Sequence, residues 1–151
     1  MTTERKSRPR AFEWWMFANF AQGAGFSAFV SLLIPPYVTQ ATGQASEAGV
    51  VMAIISLGAV LAPVLGGFAD RYGAHRTVLT GSVAGMALAF VAYALSADQS
   101  ALFPLDAILM GVSIAGMAAV GPVFIVGARL PRKVEASQMT AFSLMMPAGQ
   151  V

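Results

Sequence analysis

Two kinds of polar residue interrupt the long apolar stretches of this 151-residue chain. One kind is gathered in a charged segment, GGFADRYGAHR at 66–76, which contains an acid, two arginines and the only histidine. The other kind stands singly inside apolar stretches, where an amide or a carboxyl is costly and is therefore a candidate for binding. Side chains of these types pair charges and form hydrogen bonds, so we expect binding rather than catalysis from them.

The single polar residues fall on two faces when they are placed on helices. Residues three or four positions apart share a helix face, and two such sets are candidates for binding a solute or an ion. The first set is Asn19, Gln22 and Phe26, and the second is Asp106, Met110, Ser113 and Met117.

These candidates also have simpler interpretations. Asn19 and Gln22 suit hydrogen bonding between helices, and the methionines suit packing. Asp106 suits pairing with a helix N-terminus, or the handling of a proton or another cation.

The same inventory excludes most enzyme classes. The chain has no cysteine, so no thiol nucleophile, disulfide or thiolate metal site can form. It has no Gly-rich phosphate loop, no H-E-x-x-H motif and no clustered pair of carboxylates. The sequence therefore predicts no catalytic residue, no metal site and no cofactor, and it leaves coupling to a proton or another cation open.

Composition predicts a membrane protein. Hydrophobic residues make up 57% and charged residues 11% of the chain, and the mean hydropathy is +0.70. A soluble domain carries about 25% charged residues, so the charges here are too few to cover a globular surface. Lipid requires internally bonded backbone, and the apolar stretches are too long and unalternating for barrel strands. The predicted fold class is an all-α membrane protein, a transmembrane helical bundle.

Five apolar stretches are the predicted spans of this bundle. They follow a tail at residues 1–11, lie within a domain of residues 12–151, and cover 12–34, 48–69, 77–97, 101–128 and 137–151. About 20 helical residues are needed to cross the hydrocarbon core, and the first four stretches reach that length. The fifth is shorter, so we expect four to five spans of a longer chain, cut within the last.

The basic residues indicate the orientation. All nine lysines and arginines lie in the tail, in the loop after the second span or in the loop after the fourth. Positive charges mark cytoplasmic loops, so the N-terminus is predicted in the cytoplasm and the chain in the cell membrane as a multi-pass protein. A cleaved signal peptide is the alternative for the start of the chain, but the first apolar stretch is too long for one.

Small residues and prolines indicate how the spans pack and bend. Glycine and alanine recur every four residues in three spans, which lets helices approach closely. These strips are Gly58–Ala62–Gly66, Gly81–Gly85–Ala89 and Gly111–Ala115–Ala119. Pro35–Pro36 is expected to end the first span. Kinks are expected at the prolines inside spans, which are Pro63, Pro122 and Pro147.

The charged segment resembles the signature loop of the major facilitator superfamily, G-x-L-A-D-R-x-G-R-[RK], which joins the second and third spans of those transporters. The matching positions are Gly66, Ala69, Asp70, Arg71 and Gly73. Ala74 and His75 replace the usual basic pair, and Arg76 supplies the charge slightly later. The segment also lies in the corresponding loop of this chain.

This resemblance implies the N-terminal portion of a secondary transporter, namely part of a six-helix half that moves a small solute by alternating access. In that family the loop acid stabilises the outward-facing state by contacting the C-terminal half. The implied conformational-latch residues are Gly66, Asp70, Arg71, Gly73 and Arg76. The first and fourth spans line the cavity in the family, so the two faces named above become substrate-path candidates. The implied partners are a small-molecule solute, the lipid bilayer and the missing C-terminal half, with no nucleic acid.

Other features leave alternatives open. The fourth span has Ala107 and Met110 where many facilitators have the arginine and glutamine of R-x-x-Q-G, which removes the basis for arginine-linked proton coupling. A small self-contained bundle, acting as a homodimeric channel or efflux subunit, would account for the length without a truncation. An assembly subunit of a larger complex is a third interpretation. Neither of these two explains the charged segment.

Overall fold

The computed structural model describes residues 17–96, 99–127 and 131–150. Within those ranges the regular elements are all helical, which confirms the predicted all-α class. The predicted tail at residues 1–11, the first residues of the first span and Arg129 lie outside the described residues.

Eight α-helices occupy the described part of the chain. They are α1 (Phe17–Gly25), α2 (Ile34–Thr42), α3 (Ala45–Leu57), α4 (Ala62–Tyr72), α5 (His75–Leu95), α6 (Phe103–Val120), α7 (Val123–Gly127) and α8 (Arg132–Gln150). A π-helix at Phe26–Leu33 joins α1 to α2. Short 3-10 segments precede α4 and α6, at Gly58–Leu61 and Ser100–Leu102.

Three helical stretches in the described residues are long and apolar enough to cross a membrane. They are Ala45–Tyr72, His75–Leu95 and Ser100–Val126, and they correspond to the second, third and fourth predicted spans. The first predicted span is helical in its described part, which consists of α1 and the π-helix Phe26–Leu33, and the fifth is helical as part of α8. Length and composition thus support three of the five predicted spans.

The sequence predicts that the first span ends at Pro35–Pro36, but the helical stretch that begins with α1 does not end there. It continues to Thr42 and ends at Gly43, whose φ of 71° is readily adopted by glycine. Both prolines lie in the first turn of α2, a position where a missing N–H costs little. The π-helix ahead of them bonds Ile34 N–H to Phe29 O, five residues back, and this wider turn accommodates the proline rings.

The prolines of the later spans differ in their effects. Pro63 lies in the first turn of α4, directly after a 3-10 segment. Gly121–Pro122 forms the turn between α6 and α7, at the position of the predicted bend, within the helical stretch Ser100–Val126. Pro147 lies inside α8, which continues through it.

The bundle is organised around α6, which packs against α3, α4 and α5. Separately, α1 packs against α8 and α2 packs against α3. Glycine permits the contact of α3 with α6, because a Cβ on Gly111 would lie 2.8 Å from Ile55 O and 3.2 Å from Gly58 Cα. The predicted small-residue strips of the second and fourth spans therefore do meet in the structure.

Candidate functional site

A two-residue turn, Gly73 and Ala74, holds the charged segment between α4 and α5. Gly73 has a φ of 62°, in the left-handed region that glycine adopts without strain. The N–H groups of Gly73 and Ala74 both bond to the backbone oxygen of Ala69. This C-terminal cap sets the direction in which the chain leaves α4, and so places Asp70 beside the start of α5.

Asp70 pairs with His75 across this turn. His75 Nε2 lies 2.8 Å from Asp70 Oδ1, and 68% of the Asp70 side chain is exposed. The contact is an ion pair when the imidazole is protonated. An exposed pair contributes only about 0–1 kcal/mol to stability, so Asp70 can exchange His75 for another partner at little cost.

The other residues of the predicted latch lie around this pair. The guanidinium carbon of Arg71 lies 5.7 Å from the centre of the Tyr72 ring, and Arg76 is exposed in the first turn of α5. The Cβ position of Gly66 lies 3.7 Å from the Cβ of Ala119 on α6. Small residues at this crossing seat α4 against α6 and leave the acidic end of α4 at the edge of the bundle.

A cavity of about 150 Å³ lies among α1, α5, α6, α7 and α8. Its lining is apolar apart from two amides and consists of Asn19, Gln22, Leu79, Met117, Gly121, Phe124 and Phe142. Asn19 Nδ2 donates to the backbone oxygen of Phe142 at 2.7 Å, and Gln22 is buried. Leu79 lies one turn into α5, so this space, hereafter the amide cavity, lies toward the end of the bundle that carries Asp70.

Close packing of α1 against α8 positions the two amides. A Cβ on Gly23 would meet the backbone oxygen of Met146, and a Cβ on Gly149 would meet that of Phe20. Glycine allows the two helix backbones to approach this closely. Asn19 and Gly23 are four residues apart, so the amide lies on the face of α1 that contacts α8.

Three of the seven substrate-path candidates meet at the amide cavity, namely Asn19, Gln22 and Met117. Met110 is fully buried in the apolar core, against which Phe26 also packs. Ser113 Oγ donates to the backbone oxygen of Leu109 at 2.7 Å. A role for these three residues in a substrate path stays a prediction.

Asp106, the seventh candidate, lies at the opposite end of the bundle. It is in the first turn of α6, is only 6% exposed, and has its Oδ2 atom 2.8 Å from Ser96 Oγ. Its place in the first turn of α6 is one where the helix dipole favours a carboxylate. Pairing with the helix N-terminus and the handling of a proton or another cation both stay predictions for Asp106.

Three of the contacts described above were not predicted from the sequence. Phe142 reaches Asn19 across 123 positions, and no spacing in the sequence connects the two. Ser96 could have been found, because a serine at the end of one helix faces an acid at the start of the next across a short loop. His75 was also within reach, since it follows Asp70 by five residues around the turn at Gly73.

Comparison with known protein families shows which family this chain belongs to. The model of the Major Facilitator Superfamily matches residues 15–151. The chain belongs to this superfamily. The match confirms the family that the charged segment resembles, and it covers most of the chain. No curated protein and no solved structure is significantly similar to it.

Membership in the superfamily sets the general activity. Facilitators are secondary transporters of small solutes in lipid bilayers and are not enzymes, in agreement with the predicted transport class. In this facilitator the signature turn and the amide cavity lie toward one end of the bundle, and the buried Asp106 lies toward the other.

Proposed function

We propose that this facilitator moves a small solute across the cell membrane by secondary active transport with alternating access. The amide cavity carries the proposal, because it brings two amides of the first span against α6 and α8. Ligand sites combine apolar walls with a few placed polar groups, and transporter sites lie between helices. The lining of the amide cavity has this composition.

The amide cavity is smaller than an ordinary binding pocket, so it suits one part of a larger site. Pockets for small molecules hold about 300–1,000 Å³, whereas the amide cavity holds about 150 Å³. None of the residues that line it is charged. This lining favours a solute that is recognised by shape and hydrogen bonding over one that is recognised by its charge alone.

Asp70 is the proposed latch between two conformations. Its carboxylate is exposed at the tip of the α4–α5 turn, and its contact with His75 is exchangeable. A helix N-terminus or an arginine in a C-terminal half would form a stronger, charge-assisted contact with it. This contact would stabilise the outward-facing state, with the tail and the turn on the cytoplasmic side.

A ligand screen on the protein expressed from its complete reading frame tests the proposal. Sugars, amino acids, organic cations and organic anions are added in turn, and thermal unfolding in detergent is followed by circular dichroism. A solute present at 100 times its Kd stabilises the folded state by about 2.7 kcal/mol, which raises the unfolding temperature by several degrees. A panel in which no solute stabilises the protein contradicts the proposed function.

Substitutions in the amide cavity test where the solute binds. Asn19→Ala and Gln22→Ala each remove an amide, and each is expected to weaken binding about tenfold, which corresponds to one hydrogen bond of about 1.4 kcal/mol. Gln40→Ala is the matched control, since Gln40 is an exposed glutamine on α2 that does not line the cavity. Equal affinity in all three variants would place the solute elsewhere.

A further inference from the structure

Gln22 is a buried amide that makes no hydrogen bond with another described residue. Its side chain lines the amide cavity, and only 6% of the residue is exposed. Asn19, three positions earlier on the same face of α1, donates to Phe142 O at 2.7 Å. A buried amide without a partner is costly, and an apolar side chain would pack here without that cost. A ligand that enters the amide cavity can supply the hydrogen bonds of Gln22.

The chemistry of the carboxamide determines what such a ligand must carry. A side-chain amide offers one carbonyl acceptor and two N–H donors. Asn19 commits a donor to Phe142, which fixes its orientation, whereas both ends of the Gln22 amide stay available. The complement of one amide edge is an N–H next to an acceptor, and glutamine pairs in this way with the adjacent donor and acceptor of adenine. Gln22 therefore suits a group that carries a donor and an acceptor side by side.

The size and the walls of the amide cavity suit a flat ring. The cavity holds about 150 Å³, and an apolar cavity of that volume binds benzene in another protein. The rings of Phe124 and Phe142 line it, and aromatic rings stack favourably with a flat ring. Gly121 allows one of these walls to form, because a Cβ on Gly121 would lie 2.7 Å from Cζ of Phe142. A single six-membered ring thus matches both the volume and the walls.

The surroundings favour an uncharged ring. None of the residues that line the amide cavity is charged. On α5 the charged Arg76 is exposed in the first turn, and it does not belong to the lining that Leu79 contributes. A charged group loses more by leaving water for such a space than two neutral hydrogen bonds return.

We propose that the amide cavity binds an uncharged, ring-sized group with an N–H beside a carbonyl, as in a lactam, and that Gln22 forms both hydrogen bonds with it. Phe124 and Phe142 hold the faces of the ring. This inference rests on the proposed function, since it names the chemical class of the solute, and it makes Gln22 the residue that determines specificity.

Two probes of nearly the same shape test the hydrogen bonds. Saturation-transfer NMR measures their affinity for the protein expressed from its complete reading frame, in lipid nanodiscs. The lactam 2-pyridone carries the N–H beside the carbonyl, and N-methyl-2-pyridone lacks that N–H. The methylated probe is expected to bind about tenfold more weakly or less, which corresponds to one hydrogen bond. Equal affinities, or tighter binding of the charged probe benzoate, overturn the proposed class.

Gln22→Met tests the role of the amide, because methionine keeps the length of the side chain and removes its polar atoms. The variant is expected to bind 2-pyridone about tenfold more weakly and to bind N-methyl-2-pyridone as the wild type does. Gln40→Met is the matched control, since Gln40 is exposed on α2 and does not line the cavity. A preference for 2-pyridone that persists in Gln22→Met overturns the role of Gln22. The comparison of probes in the wild type does not depend on the folding of any variant.

Larger lactams and uracil, added to the solute screen, separate this inference from the proposed function. A lactam that stabilises the protein is expected to displace 2-pyridone. If only solutes of other classes stabilise the protein, the proposed class is wrong and the transport function stands. If no solute of any class stabilises it, the proposed function fails, and the 2-pyridone result alone decides the recognition by Gln22.

Discussion

At the tip of the α4–α5 turn, the position of the Asp70 carboxylate depends on three nearby residues. Ala69 is completely buried, and its backbone oxygen accepts the two N–H groups that close the turn. Gly73 reverses the chain, and His75 lies 2.8 Å from the carboxylate. Together they hold an acidic group outside the bundle, where another part of the protein can reach it.

Asp70→Asn is expected to lower the initial rate of solute uptake about tenfold or more. A hydrogen bond to a charged group is worth about 1.5–3 kcal/mol, and its loss shifts the equilibrium between two conformations by the corresponding factor. Uptake by the full-length protein in vesicles measures the effect. Glu47→Gln is the control, because Glu47 is an exposed acid at the start of α3. Wild-type uptake in Asp70→Asn would remove Asp70 from the proposed latch.

The packing of whole helices depends on which small-residue strips actually meet. The strips of the second and fourth spans cross at Gly58 and Gly111, where the two backbones touch. The strip of the third span meets α6 only in part. A Cβ on Gly85 would lie 2.5 Å from Ser113 Oγ, whereas Gly81 has no atom within 4 Å of its Cβ position. Equal spacing in the sequence therefore does not mean equal contact.

Gly111→Ala is expected to destabilise the protein by about 1–3 kcal/mol, because the added methyl group would overlap the backbone of α3. Gly81→Ala is the matched control, with open space at the same type of position. It is expected to leave stability unchanged or to raise it by up to about 1 kcal/mol through helix propensity. Unfolding in mixed detergent micelles, followed by circular dichroism, measures both. Similar losses in the two variants would contradict the crossing at Gly111.

At the scale of the whole molecule, the two ends of the bundle carry different chemistry. The signature turn and the amide cavity lie toward one end, and the described basic residues lie at the ends of helices on that side, in α4, α5 and α8. The buried Asp106 and its neighbour Ser96 lie toward the other end, where the described residues include no lysine or arginine.

The proposed orientation predicts a specific labelling pattern. The chain has no cysteine, so single cysteines report one position each. Ser46→Cys, at the start of α3, is expected to react with a membrane-impermeant maleimide on intact cells. Thr77→Cys, beside the signature turn, is expected to react only after the membrane is opened; both residues are exposed. The reverse pattern would invert the orientation of the tail and the turn.

Local features of the sequence were sufficient for the class of fold and for the signature turn. The helical class follows from long apolar stretches, because lipid leaves the backbone no other partner than itself. The turn follows from Gly73, whose conformation depends on its own backbone and on the next few residues. Pro35–Pro36 shows the limit of local reasoning, since a π-helix ahead of the prolines allows the helix to continue.

The sites themselves depend on contacts between distant residues. Asn19 meets Phe142, and Met117 joins them at the amide cavity, only because α1 packs closely against α8 beside α6. Which faces meet depends on the fit of side chains and backbones across several helices, and the periodicity of a single helix does not contain that information. The sequence alone thus determined that this is a helical membrane protein with a turn at Gly73. Tertiary packing decided which polar residues became neighbours and which acid was buried.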